Sequence, residues 1–537
     1  MIPLLLRANE SYDKLAPLLD NISAEYLTYH VQVLGNDIMQ GRATGSRGER
    51  LAADYIVSKL KEYNVSPATG SRSYFQHLPL HGSTTLKSSQ FILHYDGKNT
   101  NLQFGEDYVL FNTGDQTFLP QPRPLVFVGY GIFAPEFDYN DYQNVDVTDK
   151  IVVYLSGEPQ SDDPDFFDGP QPTIYSYAAS KERVAISRGA RGCILIQNPY
   201  ENSTSWNQRV NEFLLEDVQL AYSVTDIFSV LLNPMSASLL FQASQHSFDD
   251  VLQWRQQHLM FSFELGAKLS FRGHFEERDF FSRNILAQVR GTDAALRDSY
   301  VILSAHYDHL GIGIPVRGDS IYNGVVDNAM GSAALLEIAH ALTKSPPKRS
   351  VLFLFLTGEE KGLLGSTYYI DNPAVPHYKT VANINIDGLA IFDTFRDVVG
   401  FGTELSSLHK VLQKSAAIMG LTVSSLPPNF SRLESFARSD QVVFAKAGIP
   451  AALVMEGVDY NHLDKEQGIK KHIDWMQNIY HSPFDDLNQS INWSAAEQHC
   501  HLLLTFAWIL ANDAEEPTWQ QGTPYLTARL QSIAERK

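Results

Sequence analysis

Residues 300–311 read YVILSAHYDHLG, and residues 351–360 read VLFLFLTGEE. In each stretch an apolar run ends at a histidine or at acidic side chains. A short continuous apolar run is typical of a strand that is buried on both faces of a sheet. Two more such runs lie at 381–386 and 450–455, and an amphipathic segment at 329–343 follows the first run. Strands that alternate with helices predict an α/β domain whose sheet is covered by helices on both faces.

The composition is that of a folded globular protein. Of 537 residues, 44% are hydrophobic and 19% are charged, which excludes wholesale disorder. The formal net charge of −19 repels phosphate backbones, so no nucleic-acid partner is expected. The apolar run Leu502–Leu510 is far shorter than the roughly 20 residues of a membrane-spanning helix, so no membrane span is expected either. Two cysteines, Cys193 and Cys500, cannot form a disulfide framework or a cysteine-rich zinc site.

Residues 82–284 differ in character from the rest of the chain. Short β-rich runs, such as 125–128 and 151–155, are separated by Gly, Pro, Asn and Asp. This pattern predicts a separate β-rich domain. Before it, residues 41–48 form a Gly-containing segment that predicts a loop, and apolar residues at helical spacing follow until Asn64.

Histidine and acidic residues follow the buried strands. His306 follows the first strand, Glu359 and Glu360 follow the second, and Asp387 closes the third. In open α/β sheets, ligands bind beyond the carboxyl ends of the strands. Each position alone also has a structural explanation: a chance His-x-Asp pair, an exposed acidic turn, or a turn-forming Asp before a glycine.

Two further candidates lie outside the strands. Asp327 directly precedes the predicted helix, where an Asp also serves as an N-cap, and His481 lies in a segment where a surface turn is the alternative. Together the candidates supply two histidines, two aspartates and one glutamate, with a second glutamate adjacent to the first. This nitrogen and oxygen donor set suits zinc, and cobalt or manganese would also bind. If five ligands hold two metals about 3.5–4 Å apart, one aspartate must bridge them.

The candidates lie in short motifs along the chain. In order, these are His306-Tyr307-Asp308-His309-Leu310-Gly311, Asp327-Asn328, Glu359-Glu360, Asn385-Ile386-Asp387, Ser439-Asp440, Gly448-Ile449-Pro450 and Tyr480-His481. This order and spacing resemble the co-catalytic zinc exopeptidases of metallopeptidase family 28, which include bacterial leucyl aminopeptidase, aminopeptidase Y and glutamate carboxypeptidase. The resemblance implies a mixed, mostly parallel central sheet flanked by helices, the zinc-exopeptidase (phosphorylase/hydrolase-like) fold. It assigns 1–81 and 285–537 to a discontinuous catalytic domain, and 82–284 to an inserted protease-associated domain.

The resemblance also implies a set of metal ligands and a base. Two Zn²⁺ ions, which Co²⁺ or Mn²⁺ could replace, would be held by five side chains: Asp327 bridging both ions, His306 and Asp387 on one, and Glu360 and His481 on the other. Glu359 would be the general base, because it would take a proton from the metal-bridging water and return it to the leaving amine.

Supporting roles follow from the same resemblance. Asp308 would orient His306 by contact with its imidazole. The peptide bond that follows Asp327 is expected to be cis, as is frequent in the family. His309 is not expected to be a ligand.

Two kinds of residue are candidates for substrate binding. Tyr480 precedes His481 as a tyrosine does in glutamate carboxypeptidase, where it helps to polarise the carbonyl. Arg432 and Arg438 fall in a region near the family's substrate pocket and would suit a carboxylate, although a surface or structural role is the alternative.

The leading functional hypothesis is an aminopeptidase that hydrolyses N-terminal residues from peptide substrates. A carboxypeptidase or dipeptidase of the glutamate carboxypeptidase type is the runner-up, and clustered Arg and Lys near the metals would favour it. A glutaminyl cyclase is a third option, but such enzymes use one zinc and lack the insert. A receptor that has lost its metal ligands is disfavoured, because all the ligands are present.

The cellular compartment is inferred from the resemblance alone. Proteins of this kind are usually exported, to the periplasm or outside the cell, so export is expected and the cytoplasm is the alternative. The apolar stretch within Met1–Arg7 is too short for the hydrophobic region of a signal peptide, so any such peptide is absent from this chain. The sequence does not predict an oligomeric state.

Overall fold

The computed structural model describes residues 14–536, except 69, 111–117, 164, 168, 170–172, 201–205, 214, 225–226 and 426–435. The chain divides into two compact units. The first unit comprises Met1–Leu78 and Phe281–Lys537, and the second comprises Pro79–Phe280. The inserted region that the sequence predicts, 82–284, differs from the second unit by a few residues at each end.

The first unit is built on a mixed sheet. Its neighbouring strands are, in spatial order, Phe275–Val289, Ser350–Leu356, Tyr300–His306, Thr380–Asn385, Ala451–Glu456, Asp397–Phe401 and Thr422–Val423. The strand Tyr300–His306 is parallel to both its neighbours, and the next pair outward, Thr380–Asn385 with Ala451–Glu456, is parallel too. The strands Phe275–Val289 and Asp397–Phe401 pair antiparallel with their inner neighbours. The predicted mixed, mostly parallel sheet is confirmed.

Both faces of the sheet are buried, and successive residues of its strands pack in different hydrophobic cores. Val301 and Leu303 pack in one hydrophobic core, whereas Ile302 between them packs in another. Every residue of Ser350–Leu356 is buried, and so is every residue of Tyr300–His306. A polar side chain would therefore be buried away from water whichever face of the sheet it lay on. This explains why the strands are continuous apolar runs in the sequence.

The helices of the first unit cover the two faces of the sheet. They are Ala24–Leu34, Arg47–Glu62, Gly331–Lys344, Leu364–Asp371, Leu408–Ile418, Gln441–Lys446, Lys465–Asn478, Trp493–Asn512 and Leu526–Ala534. Short strands lie at Ser66–Pro67, Gly311–Val316 and Asp319–Tyr322, and short helical turns lie at Asp37–Arg42, Val325–Met330, His377–Lys379 and Thr403–Leu405. The helix Arg47–Glu62 begins earlier than its apolar spacing predicted, because the Ser46 side chain accepts a hydrogen bond from the Glu49 N–H and caps it.

The second unit is rich in β-structure and has its own core. Its described strands are Phe75–Thr85, Gln90–Tyr95, Lys98–Leu102, Tyr108–Leu110, Phe118–Val128, Phe133–Ala134, Tyr139–Asn140, Ile151–Leu155, Gly192–Ile196, Asp217–Leu220, Phe228–Leu232 and Ser262–Arg272. Three helices accompany them in the described residues: Ala178–Ser187, Trp206–Phe213 and Phe248–Gln256. The core contains side chains from both central strands and helices, such as Phe127, Val153 and Val251. Its assignment as a protease-associated domain stays a prediction.

No helix that the structure describes combines the length and the apolar character needed to cross a membrane. The longest, Trp493–Asn512, is instead packed within the first unit, where Leu503 and Phe506 belong to the main core. Its apolar residues are thus explained by contacts inside the protein.

Candidate metal centre

The candidate site lies where three parallel strands end. His306 is the last residue of its strand, and Glu359 follows the end of the neighbouring strand Ser350–Leu356. Asp387 follows the strand on the other side, Thr380–Asn385. Because these strands are adjacent and parallel, their carboxyl ends meet at one edge of the sheet, as the sequence predicted.

Asp327 reaches the same edge from the turn Val325–Met330, which precedes a helix. The peptide bond between Asp327 and Asn328 is cis, as the family resemblance implied. The Asn328 side chain donates a hydrogen bond to the Ile386 carbonyl at 2.8 Å and accepts one from the Gly388 N–H at 3.0 Å. Asn328 therefore links the turn that carries Asp327 to the turn that carries Asp387.

Five predicted ligands converge around Asp327. The His306 Nε2 atom lies 3.2 Å from Asp327 Oδ1 and 3.2 Å from Asp387 Oδ1. On the opposite side, His481 Nε2 lies 3.3 Å from Asp327 Oδ2 and 3.2 Å from Glu360 Oε2. The two oxygens of one carboxylate thus face two different histidines, each accompanied by a further carboxylate.

The donor atoms are close enough to hold metal ions. Ligand atoms of His306, Glu359 and Asp387 lie within 4.8 Å of one another, and so do those of His306, Asp327 and Glu360. Nitrogen and oxygen donors without a thiolate suit zinc. The residues present therefore fit divalent cations, which would offset the mutual repulsion of the carboxylates.

The pKa values of these groups reflect that repulsion. Burial opposes the charged form of His306, but the Glu359 and Asp387 carboxylates hold its pKa well above the usual value. Burial raises the pKa of Glu359 well above that of an ordinary glutamate, and Asp387 and Glu360 raise it further. A divalent cation would reverse both tendencies, because it favours neutral imidazole and ionised carboxylate, the forms that bind metals.

Asp308 lies behind the site, and its contacts differ from the prediction. The Asp308 carboxylate accepts hydrogen bonds from Thr44 Oγ1 at 3.0 Å and from the Glu359 N–H at 3.2 Å. Its Oδ1 atom is 3.8 Å from His306 Nδ1, too far for a hydrogen bond, whereas its backbone carbonyl is 3.2 Å from that atom. The carbonyl therefore orients the imidazole, and the carboxylate is used to fix the Glu359 loop.

Two residues contact the ligands although the sequence analysis gave them no role. His309 Nδ1 lies 2.6 Å from Glu360 Oε1, the oxygen that does not face His481. The buried carboxylate of Asp485 accepts hydrogen bonds from the Val326 N–H at 2.9 Å and the Asp327 N–H at 3.0 Å. His309 lies within the motif that begins at His306, and Asp485 lies four residues after His481, which was the available signal in the sequence.

Asp440 is a third residue near the cluster. Its Oδ1 atom accepts a hydrogen bond from Ser366 Oγ at 2.5 Å, and no group of the described residues hydrogen-bonds to its buried Oδ2 atom. Burial raises the pKa of Asp440 to about 7, an effect that His306 opposes and that Asp308 and Asp387 reinforce.

The candidate substrate residues lie beside His481. The Tyr480 ring stacks on the His481 ring with 3.8 Å between centroids. The Arg438 guanidinium lies 6.0 Å from the centroid of the Tyr480 ring. Arg432 lies outside the described residues. Tyr480 and Arg438 are therefore placed together at one side of the cluster, where a substrate group could meet them.

Comparisons with known proteins identify the family of this region. Residues 284–507 match the model of peptidase family M28. Leupeptin-inactivating enzyme 1 of Streptomyces exfoliatus is 26% identical over 251 residues, which are 44% of this chain and 50% of that protein. Leucine aminopeptidase 2 of Trichophyton equinum is 36% identical over 98 residues, which are 18% of this chain and 17% of that protein. The chain thus spans half the length of these relatives or less.

The fold itself is found in a solved structure. An aminopeptidase from Aneurinibacillus sp. strain AM-1 has a TM-score of 0.56, with 93% of this chain and 97% of that chain covered. Since the two are 18% identical in sequence, the likeness concerns the fold.

Proposed function

We propose that this chain, whose residues 284–507 belong to peptidase family M28, is a two-metal aminopeptidase that removes N-terminal residues from peptides. The observation that carries the proposal is the position of Asp327 between His306 and His481, with Asp387 and Glu360 on either side. A carboxylate with one oxygen on each side suits the bridging position of two adjacent metal sites.

The proposed ligands form two half-sites, which have one ligand in common. Asp327 is shared, His306 and Asp387 complete one half-site, and Glu360 and His481 complete the other. Zinc ions bound there would polarise the substrate carbonyl and lower the pKa of a bound water. The chain's own contribution is to hold the five ligands close together. His306 and Asp327 are buried, and Glu360, Asp387 and His481 are partly exposed.

Glu359 is proposed as the general base. Its backbone N–H is fixed by Asp308, and its carboxylate lies in the group that includes His306 and Asp387. It would take a proton from the attacking water as the water oxygen bonds to the carbonyl carbon. It would then deliver that proton to the amide nitrogen as the C–N bond breaks, so that protons balance over one cycle.

The direction of cleavage is proposed from the names of the relatives, which include leucine aminopeptidase 2. The second candidate, a carboxypeptidase or dipeptidase of the glutamate carboxypeptidase type, is favoured by one observation: Arg438 lies against Tyr480 and offers a cation beside the site.

The test is turnover of a panel of aminoacyl-p-nitroanilides and their N-acetylated counterparts, before and after chelation and zinc restoration. We expect chelator-sensitive release from the free-amine substrates alone. Equal rates on acetylated substrates would contradict the aminopeptidase. The second candidate would be established instead by two results from protein that holds two zinc ions. These are no release of p-nitroaniline from any of the substrates and cleavage of N-blocked acidic dipeptides.

Two coarser predictions accompany this proposal. Residues 82–284 are proposed as a protease-associated domain, for which their separate core and β-rich structure are the support. Export is proposed from the family resemblance, and cell fractionation with detection of the protein in each fraction tests it.

A further inference from the structure

A segment near the N-terminus, Gly41–Glu49, contacts the loops that carry the proposed ligands. The sequence predicts a loop before a helix here, in a stretch that resembles the N-terminal part of the family 28 enzymes. In the structure it supplies three buried side chains, Arg42, Thr44 and Glu49, each of which bonds to a different part of the candidate site. Gly41 has a φ of 63°, and a Cβ atom there would lie 2.3 Å from the Tyr322 carbonyl oxygen, so only glycine permits this close approach.

Arg42 joins two of the loops through backbone carbonyls. Its Nε atom donates to the Tyr307 carbonyl at 2.7 Å, directly after His306. Its Nη1 and Nη2 atoms donate to the carbonyls of Asn323 at 2.6 Å and Gly324 at 2.7 Å, shortly before Asp327. Because a guanidinium is planar and rigid, these bonds fix the separation of the two loops.

Arg42 also places a buried positive charge behind the proposed ligands. Burial lowers its pKa to about 10, so it stays charged at neutral pH. The carboxylates of Asp308, Asp485, Asp327 and Glu360 favour that charge. None of the four carboxylates is a hydrogen-bond partner of Arg42, so the charge acts on all of them without occupying a ligand atom.

The other two side chains continue the same contacts. Thr44 donates to Asp308 Oδ2 at 3.0 Å. Glu49 accepts hydrogen bonds from the Gly45 N–H at 2.8 Å and from the hydroxyl groups of Ser282 and Thr357. Thr357 lies two residues before Glu359, so the segment reaches the third loop of the site as well.

We propose that Arg42 is a positioning residue that sets the geometry of the two proposed half-sites by holding the loop after His306 and the loop before Asp327 at a fixed separation. Thr44 and Glu49 hold the Asp308 and Glu359 loops in the same way. The inference rests on the proposed function, because it treats His306 and Asp327 as metal ligands.

Arg349 provides a matched control for a purely structural role. It is also a buried arginine of the first unit, and it donates to the carbonyls of Asp513 at 3.2 Å and Ala514 at 2.8 Å. Burial lowers its pKa, as it does that of Arg42, but the carboxylates that act on it are Glu516 and Asp513 rather than proposed ligands. Loss of either guanidinium therefore removes similar bonds, but only Arg42 is connected to the candidate site.

The experiment compares Arg42→Lys with Arg349→Lys in the full chain. Zinc dissociation constants are measured on metal-free protein by competition with a chromophoric chelator, thermal unfolding is followed in parallel, and the visible spectrum is recorded after cobalt loading. We expect Arg42→Lys to bind zinc about 10–100-fold more weakly, the range for residues that support metal ligands, with an altered cobalt spectrum. Arg349→Lys should lower the Tm but keep the wild-type zinc affinity and cobalt spectrum.

Wild-type zinc affinity and spectrum in Arg42→Lys would overturn the inference, and so would an equal loss of zinc affinity in both variants. If Arg42→Lys does not fold, Thr44→Val replaces it, with Thr505→Val as control, since the buried Thr505 hydroxyl donates only within its own helix, to His501. Weaker zinc binding in Thr44→Val alone supports the inference, and unchanged binding overturns it. Wild-type protein that binds no zinc would overturn the proposed function itself, whereas two bound zinc ions and unaffected variants would overturn this inference alone.

Discussion

The candidate site in the first unit differs from the second unit in how charged side chains are buried. In the second unit, Asp141 is buried, and its carboxylate accepts hydrogen bonds from the Tyr130 N–H at 3.1 Å, the Ile132 N–H at 2.9 Å and the Tyr139 hydroxyl at 2.8 Å. Lys181 in the same unit is also buried, and it donates to the carbonyls of Leu155 and Gly157. Each of these charges has its partners within a short distance in the protein.

At the candidate site of the first unit, buried and half-buried charges converge on one another. Four carboxylates, those of Asp327, Glu359, Glu360 and Asp387, share two histidines. The buried Nε2 atom of His309 has no hydrogen-bond partner in the described part of the chain. A structural charge has its partners among neighbouring groups, whereas four carboxylates that share two histidines favour a bound cation. This difference is the physical reason to place function in the first unit.

Removal of metal should have the largest effect, and it should change the stability of the first unit but not that of the second. Chelation is expected to abolish turnover, and zinc should restore it. The first unit should also lose about 4 kcal/mol of stability relative to protein with zinc at 1,000 times its dissociation constant. Calorimetry with and without chelator is the measurement. If the transition of the second unit shifts as much as that of the first, the comparison between the units fails.

Glu359→Gln should have the next largest effect. Since general-base catalysis contributes about 10²–10⁴-fold, kcat should fall by that factor while zinc content and Tm stay close to wild type. The matched control is Glu264→Gln in the second unit, whose carboxylate pairs with Lys150 at 2.8 Å and is largely exposed. A Glu359→Gln enzyme that keeps more than a tenth of wild-type kcat would exclude Glu359 as the base.

Asp485→Asn should weaken zinc binding by a smaller factor. The carboxylate accepts the N–H groups of Val326 and Asp327, and an amide would turn one acceptor into a donor that faces them. We expect about a 10–100-fold weaker zinc affinity, as for other groups that hold a metal ligand in place. The neighbouring Asp486→Asn is the control, because the Asp486 carboxylate accepts hydrogen bonds from the N–H and the side chain of the exposed Asn488. Equal affinities in the two variants would rule out a supporting role for Asp485.

The smallest effect is expected for Asp141→Asn in the second unit. Burial raises the pKa of Asp141 from 3.8 to about 6, so the folded state binds this proton more tightly than the unfolded state. The stability from this group is therefore present below pH 4 and is lost as the pH rises to about 6. Asn can keep the contacts, with its oxygen toward the two N–H groups and its NH₂ toward the Tyr139 hydroxyl.

Thermal unfolding of the second unit between pH 4 and pH 6 checks this prediction. The wild-type Tm should decline over the range, and the Asp141→Asn Tm should change less. Zinc affinity should be the same in both proteins. A steeper pH dependence in the variant would show that the Asp141 carboxylate is ionised in the folded state throughout.

The fold was predictable because its signals are local. The apolar runs at 300–305 and 351–356 became buried strands with bounds shifted by one residue or less, since strand formation depends on the residues of the strand itself. The start of the helix Arg47–Glu62 was predicted too late, because Ser46 determines it through a cap rather than through apolar spacing. The candidate ligands were found by residue type and position, and their roles as ligands stay a prediction.

The supporting contacts could not be predicted in the same way. Asp308 was expected to orient His306 through its carboxylate, but that group bonds to Thr44 and the Glu359 N–H, so the carbonyl performs the task. His309 was not expected to be a ligand, and the contact of its ring with Glu360 was not predicted. In each case the partner lies on another loop, and the sequence around the residue does not indicate which loop that is.

The sequence by itself determined the order of strands and helices, the nitrogen and oxygen donors at the strand ends, and the family to which they point. These depend on residue type and on spacing over a few turns of chain. Only the tertiary structure decided that Arg42 would bond to carbonyls 265 and 282 residues away, at Tyr307 and Gly324, and that Asp485 would hold the N–H of Asp327. Backbone carbonyls and N–H groups are the same in every residue, so contacts made to them leave no pattern in the sequence and appear only when the chain is folded.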